Sequence, residues 1–363
     1  MKKLLFFVVI FAFLFTALWA DDVVLEKGNI RVVLHEYSGS ISLYSKSAKT
    51  GKFVSIIDNS NYSVNSGFYV RIDEVERKLE QSYNIDIETD YTETGVVISY
   101  NIKKQASIEV TFTPFTSGLS QREDCIKVDV SIYNFTESTH NYGLKAIFDT
   151  ILGEVSQNHF YTANISSIES ETLFTSMKTD KYIASSNGYD SVGFLLGGSN
   201  VSEPQITLLA NRDILLTSKW IPNVSEKRPF DSVSTVNNSA LGIVWRDMEL
   251  DSLSKSNITF FITTSTNKRM LPLEKNFPAN MLAKNLSLEE SSYIDSYGTT
   301  YIIGVYKKEQ LDPEYIADLL NRIHNLEVNE DGSNKDEIKK LNAELDAIML
   351  QIKKVNPEAN VSN

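Results

Sequence analysis

Only one cysteine, Cys125, occurs in the chain. No intramolecular disulfide can form, so stability has to come from burial. Histidine is scarce as well: His35, His140, His159 and His324 are the whole supply. They show no HxH or HExxH spacing, and no cysteine pair exists, so the sequence offers no zinc site and implies no cofactor. A GxSxG elbow and a glycine loop ending in GK[ST] are also missing. LLGGSN at 195–200 reads as a strand running into a turn. Basic clusters are lacking too: the formal net charge is −12, and nucleic acid and anionic lipid, both bound through cations, are excluded as partners. After the first twenty residues no long apolar run recurs, so no span is expected in the mature chain.

What is present begins with MKKLLFFVVIFAFLFTALWADD. Two lysines, an apolar run from Leu4 to Leu18, and Ala20 before two aspartates form the layout of a secretory signal peptide over 1–20. Export to the periplasm or cell surface is the expectation. Leu18 stands at the −3 position, where a small residue is preferred, so cleavage after Ala17 and retention of the segment stay open. Sequons at Asn134, Asn164 and Asn257 match the glycan acceptor pattern, which a chain this rich in Asn and Ser also produces by chance.

From residue 23 to about 265 the dominant period is two. In CIKVDVSIYNF, Ile126, Val128, Val130 and Ile132 alternate with Lys127, Asp129, Ser131 and Tyr133, which puts the aliphatics on one strand face. The same pattern recurs at Ile30/Val32/Leu34, Phe68/Val70/Ile72, Tyr83/Ile85/Ile87, Val96/Ile98/Tyr100/Ile102 and Ile108/Val110/Phe112. SVGFLLGG, EPQITLLA, DILLTSKW, SALGIVW and SNITFFITT are further strand candidates. Many short strands without helical period predict a mainly β protein, a large antiparallel β-sandwich over 21–265. TESTHNYG and GLKAIFDTIL read as the return of the strand ending at Phe135, a long hairpin or its Greek-key equivalent. LKAIFDTIL is apolar on both faces, as a central strand is.

Residues 266–310 lose the alternation and read as a connector, with TTYIIGVY a last strand candidate. Asp312-Pro313-Glu314 then starts a helix. Ile316, Leu319, Ile323 and Leu326, and later Ile338, Leu341, Leu345, Ile348, Ile352 and Val355, follow at spacings of three and four. Two such helices around VNEDGSN predict a C-terminal α-helical hairpin over 311–356, with 357–363 as a tail. The Glu327–Gly332 stretch is no EF-hand, because position 12 would be Ile338.

Asp149 and Glu154, five positions apart in NYGLKAIFDTILGE, raise the question of a catalytic carboxylate pair. Glycosidase chemistry needs the two acids across a cleft, which proximity in sequence does not supply, so no catalytic residue is assigned. Asp149 is expected to accept backbone N–H bonds in the following turn. Asp247, Glu249 and Asp251 alternate in DMELD and could gather a hard cation, but read better as a solvated hairpin tip. Trp220 lies near a strand end, where core packing competes with a sugar-stacking role. Asp149, Glu154 and Trp220 are the residues through which a glycan would be contacted.

YNFTESTHNYGLKAIFDTILGE, LGIVWRDMELDSLSKSNITFFITT and LDPEYIADLLNRIHNLE together resemble exported proteins of spirochaetes in which a large sandwich precedes a helical segment. The first stretch also resembles a strand pair of bacterial secreted sandwiches shaped like the galactose-mutarotase supersandwich. That resemblance implies a supersandwich-like fold more than an activity. The leading expectation is a non-catalytic cell-envelope or periplasmic protein acting through protein–protein contacts, in a surface or periplasmic-flagellar assembly, with Leu341, Leu345, Ile348 and Ile352 as the partner-binding seam. The alternative is a carbohydrate-binding module or a carbohydrate-active enzyme of supersandwich type.

Overall fold

The structure, a computed structural model, describes residues 22–273 apart from 48, 58–65, 157–158, 199, 218, 231–237, 267 and 270, together with two strands at 290–294 and 300–304. The expected signal peptide, the helical hairpin and its seam of Leu341, Leu345, Ile348 and Ile352 lie outside the described residues.

Three antiparallel sheets carry the body. The first has four strands in sequence order, β1 (Val23–Lys27), β2 (Ile30–His35), β3 (Ser40–Lys46) and β4 (Phe53–Ser55). The second runs β13 (Tyr182–Ser186), β14 (Ser191–Leu195), β18 (Lys255–Ser265), β10 (Cys125–Asn134), β9 (Ala106–Phe115), β8 (Val96–Ile102) and β7 (Ile85–Tyr91). The third runs β12 (Thr172–Phe174), β15 (Ile206–Asn211), β16 (Ser239–Val244), β11 (His140–Asp149), β5 (Gly67–Ile72) and β6 (Val75–Lys78), with β17 (Met248–Leu250) also paired to β11. Strands β19 (Glu290–Ile294) and β20 (Thr300–Gly304) pair with each other. Helices α1 (Leu152–Ser156) and α2 (Arg212–Leu215) are one turn each.

Period-two alternation explains the packing. Ile126, Val128, Val130 and Ile132 of β10 are all fully buried. The register sets Val128 between Phe112 and Phe260, so one parity of three strands makes a continuous apolar face. Against it the third sheet turns Phe68, Val70, Leu144, Ala146, Phe148, Leu241 and Ile243, all in the same core. Phe148 sits at its centre, with ring centroids 5.0 Å from Phe194 and 6.1 Å from both Phe68 and Phe260. The small first sheet joins through Ile30, Val32, Leu34, Ile41 and Leu43. Hydrogen bonds tie it to the second sheet: the buried Tyr100 hydroxyl donates to the Gly39 carbonyl at 2.7 Å and the Tyr91 hydroxyl to the Val24 carbonyl at 3.0 Å. Gly39 has φ +75 and Ile87 packed where a Cβ would stand, a position only glycine occupies without strain.

Three local expectations are corrected. The β10 and β11 stretches do not pair with each other. β10 pairs β9 and β18, β11 pairs β5, β16 and β17, and residues 135–139 cross from one sheet to the other. DILLTSKW is not a strand: its first residues belong to α2, packed over β15 and β16. His35, which alternation with Ile30, Val32 and Leu34 predicts to face outward, is 6% exposed and held between Asp22 and Ser42 at 2.8 and 3.0 Å.

Candidate functional site

The outer face of the third sheet collects polar chemistry. On β11, Leu144, Ala146 and Phe148 point into the core, so alternation turns Gly143, Lys145, Ile147 and Asp149 outward. Tyr69 and Arg71 face outward from β5 by the same rule, and the register sets Lys145 beside Tyr69 and Gly143 beside Arg71. Glu76 of β6 lies opposite Arg71, within diagonal reach of Lys145. The Lys145 ammonium donates to Glu76 Oε1 at 2.5 Å.

Trp220 arrives from the loop after α2 and lies over the sheet at Gly143. A Cβ at position 143 would come within 3.0 Å of the indole Cζ2 and 2.5 Å of Asp247 Oδ1, so the absence of a side chain there makes room for both. The indole is flanked by cations, Arg71 and Lys145 each 4.8 Å from its centroid. Lys145 also stands 4.7 Å from the Tyr69 ring. Arg71 donates to Asp247 Oδ2 at 2.6 Å. Burial draws the Lys145 ammonium below its ordinary range; the hydrogen bond and charge of Glu76 oppose this, and the Arg71 charge adds to it. Burial raises the Tyr69 phenol, helped by Glu80 and Glu76. Trp220 is 9% exposed, so its ring faces serve packing and the cations. The solvent-facing groups of the cluster are Asp247, Glu76 and Arg71, with side chains 33%, 24% and 20% exposed.

Asp149 and Glu154 go to opposite sides of this sheet. Asp149 is buried at the end of β11 on the outward parity, and its Oδ2 accepts from Arg212 Nη1 at 2.9 Å. Glu154, on α1, accepts from the Ser239 backbone N–H at 2.8 Å and its hydroxyl at 2.5 Å. Ser239 shares the inward parity of Leu241. With the Ser239 proton given to Glu154, the 2.8 Å contact between Ser239 Oγ and His159 requires the Nδ1–H tautomer. Ser239 and His159 are both buried, so this trio braces the core. Gly153 is needed there, because a Cβ would meet the His159 backbone at 2.5 Å. The two acids share no cleft.

The acidic run separates as well. Asp247 pairs with Arg71, Asp251 accepts from Thr139 at 3.0 Å, and Glu249 is exposed on β17. Among the described residues no cluster of ligating side chains could hold a metal ion. Asn134, in the first sequon, is fully buried and donates to the Leu250 carbonyl at 3.1 Å, so it is no glycan acceptor in the folded chain. Sequence reasoning passed over Arg71, Glu76 and Lys145. The one signal available was a lysine inside the otherwise apolar LKAIF.

No protein-family model matches the chain, and no curated protein matches it. Solved structures that it resembles include a galactose mutarotase-related enzyme from Lactobacillus acidophilus (10% identity, 70% of this chain and 100% of that one, TM-score 0.39). Another is a galactose mutarotase-like protein from Lactobacillus casei (9%, 68% and 100%, TM-score 0.41). A polysaccharide lyase is matched over 74% of this chain and 36% of its own length (10%, TM-score 0.39). The likeness is one of sheet arrangement. The expectation of a non-catalytic envelope protein acting through protein contacts is withdrawn.

Proposed function

We propose that the protein binds a carbohydrate at the outer face of the third sheet, around Arg71, Glu76 and Asp247. The observation that carries this reading is the arrangement at Gly143: an indole wedged between two cations, with carboxylates and a guanidinium at its rim. Sugar hydroxyls are both donors and acceptors, and paired carboxylates with a guanidinium satisfy both roles from fixed positions. Trp220 and Lys145 are too buried to touch a ligand first. Their part is to hold Arg71 and Glu76 in place, as a supporting shell does.

The test is calorimetric titration of the full chain with a panel of neutral aldoses, alongside polarimetry of anomer interconversion. Binding should shift the emission of Trp220, measured in a Trp19→Phe, Trp245→Phe background so that one indole reports. Asp247→Asn should weaken the responding sugar about tenfold, equivalent to ~1.4 kcal/mol. No binding across the panel, or binding indifferent to Asp247→Asn, would remove the reading. Accelerated interconversion would move the protein from binding module to enzyme at the same site.

A further inference from the structure

We infer that a second site, for an acidic saccharide, lies in the groove between the first sheet and the loop leading into β10. A cavity of about 580 Å³ opens there, lined by Asn29, Lys46, Ser120, Arg122, Thr266 and Arg269 among others. A deeper lobe of about 220 Å³ shares Asn29, Ser120, Thr266 and Arg269, and reaches Ser45 and Asp124. The volumes suit a monosaccharide or a short oligosaccharide.

Two independent observations point to a ligand. The first is charge. In a chain of net charge −12, Lys46, Arg122 and Arg269 converge on one groove, and none of them forms an ion pair among the described residues. The contact that Lys46 makes is with the Phe53 ring at 5.6 Å. The carboxylate lining the deeper lobe, Asp124, is already occupied by the Ser117 N–H and hydroxyl at 2.7 Å each, so two of its acceptor positions are taken by fixed donors. The second observation is Ser45, which is fully buried with a hydroxyl that finds no hydrogen-bond partner. Buried hydroxyls are rarely left unpaired. This one backs the lobe from beneath its surface, so it marks an unmet polar demand at the site and not a direct ligand contact.

The site is also preorganised. Asn29 N–H donates to the Glu123 carbonyl and the Lys46 N–H to the Asn29 carbonyl, both at 2.8 Å, which fixes strand and loop together. The Arg122 N–H donates to Ser120 Oγ at 3.1 Å, and the Ser265 hydroxyl to the Arg269 carbonyl at 2.5 Å. Guanidinium forks suit carboxylates in a bidentate manner, while Ser120, Thr266 and Asn29 supply the neutral partners that sugar hydroxyls need. This inference stands apart from the Asp247 site, which is built on the third sheet.

The experiment titrates the full chain with glucuronate, glucose and inorganic phosphate at low and high salt. Glucuronate should bind at least about tenfold more tightly than glucose and weaken with salt, as a screened ion pair does. Arg122→Gln and Arg269→Gln should each reduce glucuronate affinity about tenfold with unchanged melting, since both side chains are exposed. Asp247→Asn should leave glucuronate binding intact. Glucose matching glucuronate, arginine variants without effect, or loss on Asp247→Asn would overturn the assignment. So would phosphate matching glucuronate, which would leave a bare anion site.

Discussion

Lys145 shows what one residue can carry. Its side chain is 2% exposed and its charge is balanced by Glu76, which keeps partial access to water. Removing the acid leaves an uncompensated buried ammonium, whereas removing the lysine leaves a carboxylate that can hydrate. Glu76→Gln should therefore cost about 2 kcal/mol in chemical denaturation, discounted for the exposure of Glu76, and Lys145→Met about 1 kcal/mol or less. Equal costs would mean that the pair is solvated. The lowered Lys145 pKa adds a pH signature. Below its folded pKa the ammonium opposes folding; as pH rises from there toward 10.5 the unfolded chain holds the extra proton, and stability rises. Comparing wild type with Lys145→Met across that interval should show the rise in the wild type alone. The residue was visible in LKAIFD, but its importance was not, because nothing local indicates that Glu76 and Trp220 converge on it.

At the scale of the element, β11 is the organising strand. It pairs with β5 on one side and with β16 and β17 on the other, so its inward residues complete the core and its outward ones floor the candidate site. LKAIFDTIL, apolar on both faces, predicted a central strand, and β11 is central. The pairing partner was misread, since alternation specifies which residues are buried but not which sheet a strand joins. DILLTSKW failed for a related reason: four apolar-rich residues satisfy a strand and one helical turn equally. Gly143 gives the element its test. Gly143→Ala would force a methyl into Asp247 and Trp220, and overpacking of this kind costs about 1–3 kcal/mol. We expect a lower melting temperature with red-shifted Trp220 emission as the indole lifts. A normal melt with unshifted emission would show that the loop yields freely.

For the whole molecule, buried phenols set a limit at high pH. Burial raises Tyr69 and Tyr100 far above 10.0 and Tyr142 to about 12. Above pH 10 the unfolded chain loses phenolic protons that the folded chain retains, so the unfolded state binds fewer protons and stability falls as pH rises. In a Lys145→Met background, where the lysine's own rise is absent, melting temperature should be flat up to about pH 10 and decline beyond it, and adding Tyr100→Phe should make the decline shallower; a curve unaffected by the substitution would clear Tyr100 of the role. The sequence by itself determined the sheet class and the inward residues of most strands, because a period of two is a local property of the pleated backbone. It also excluded a disulfide and left no local spacing for a metal. The tertiary structure alone decided that Asp149 and Glu154 face opposite sides of a sheet. Only there do Arg71, Glu76, Lys145, Trp220 and Asp247 meet at Gly143, and only there do Lys46, Arg122 and Arg269 border one groove. The Arg71–Asp247 contact alone joins residues 176 positions apart, and such meetings depend on strand order and register, which arise from the packing of whole faces and are written in no short stretch of chain.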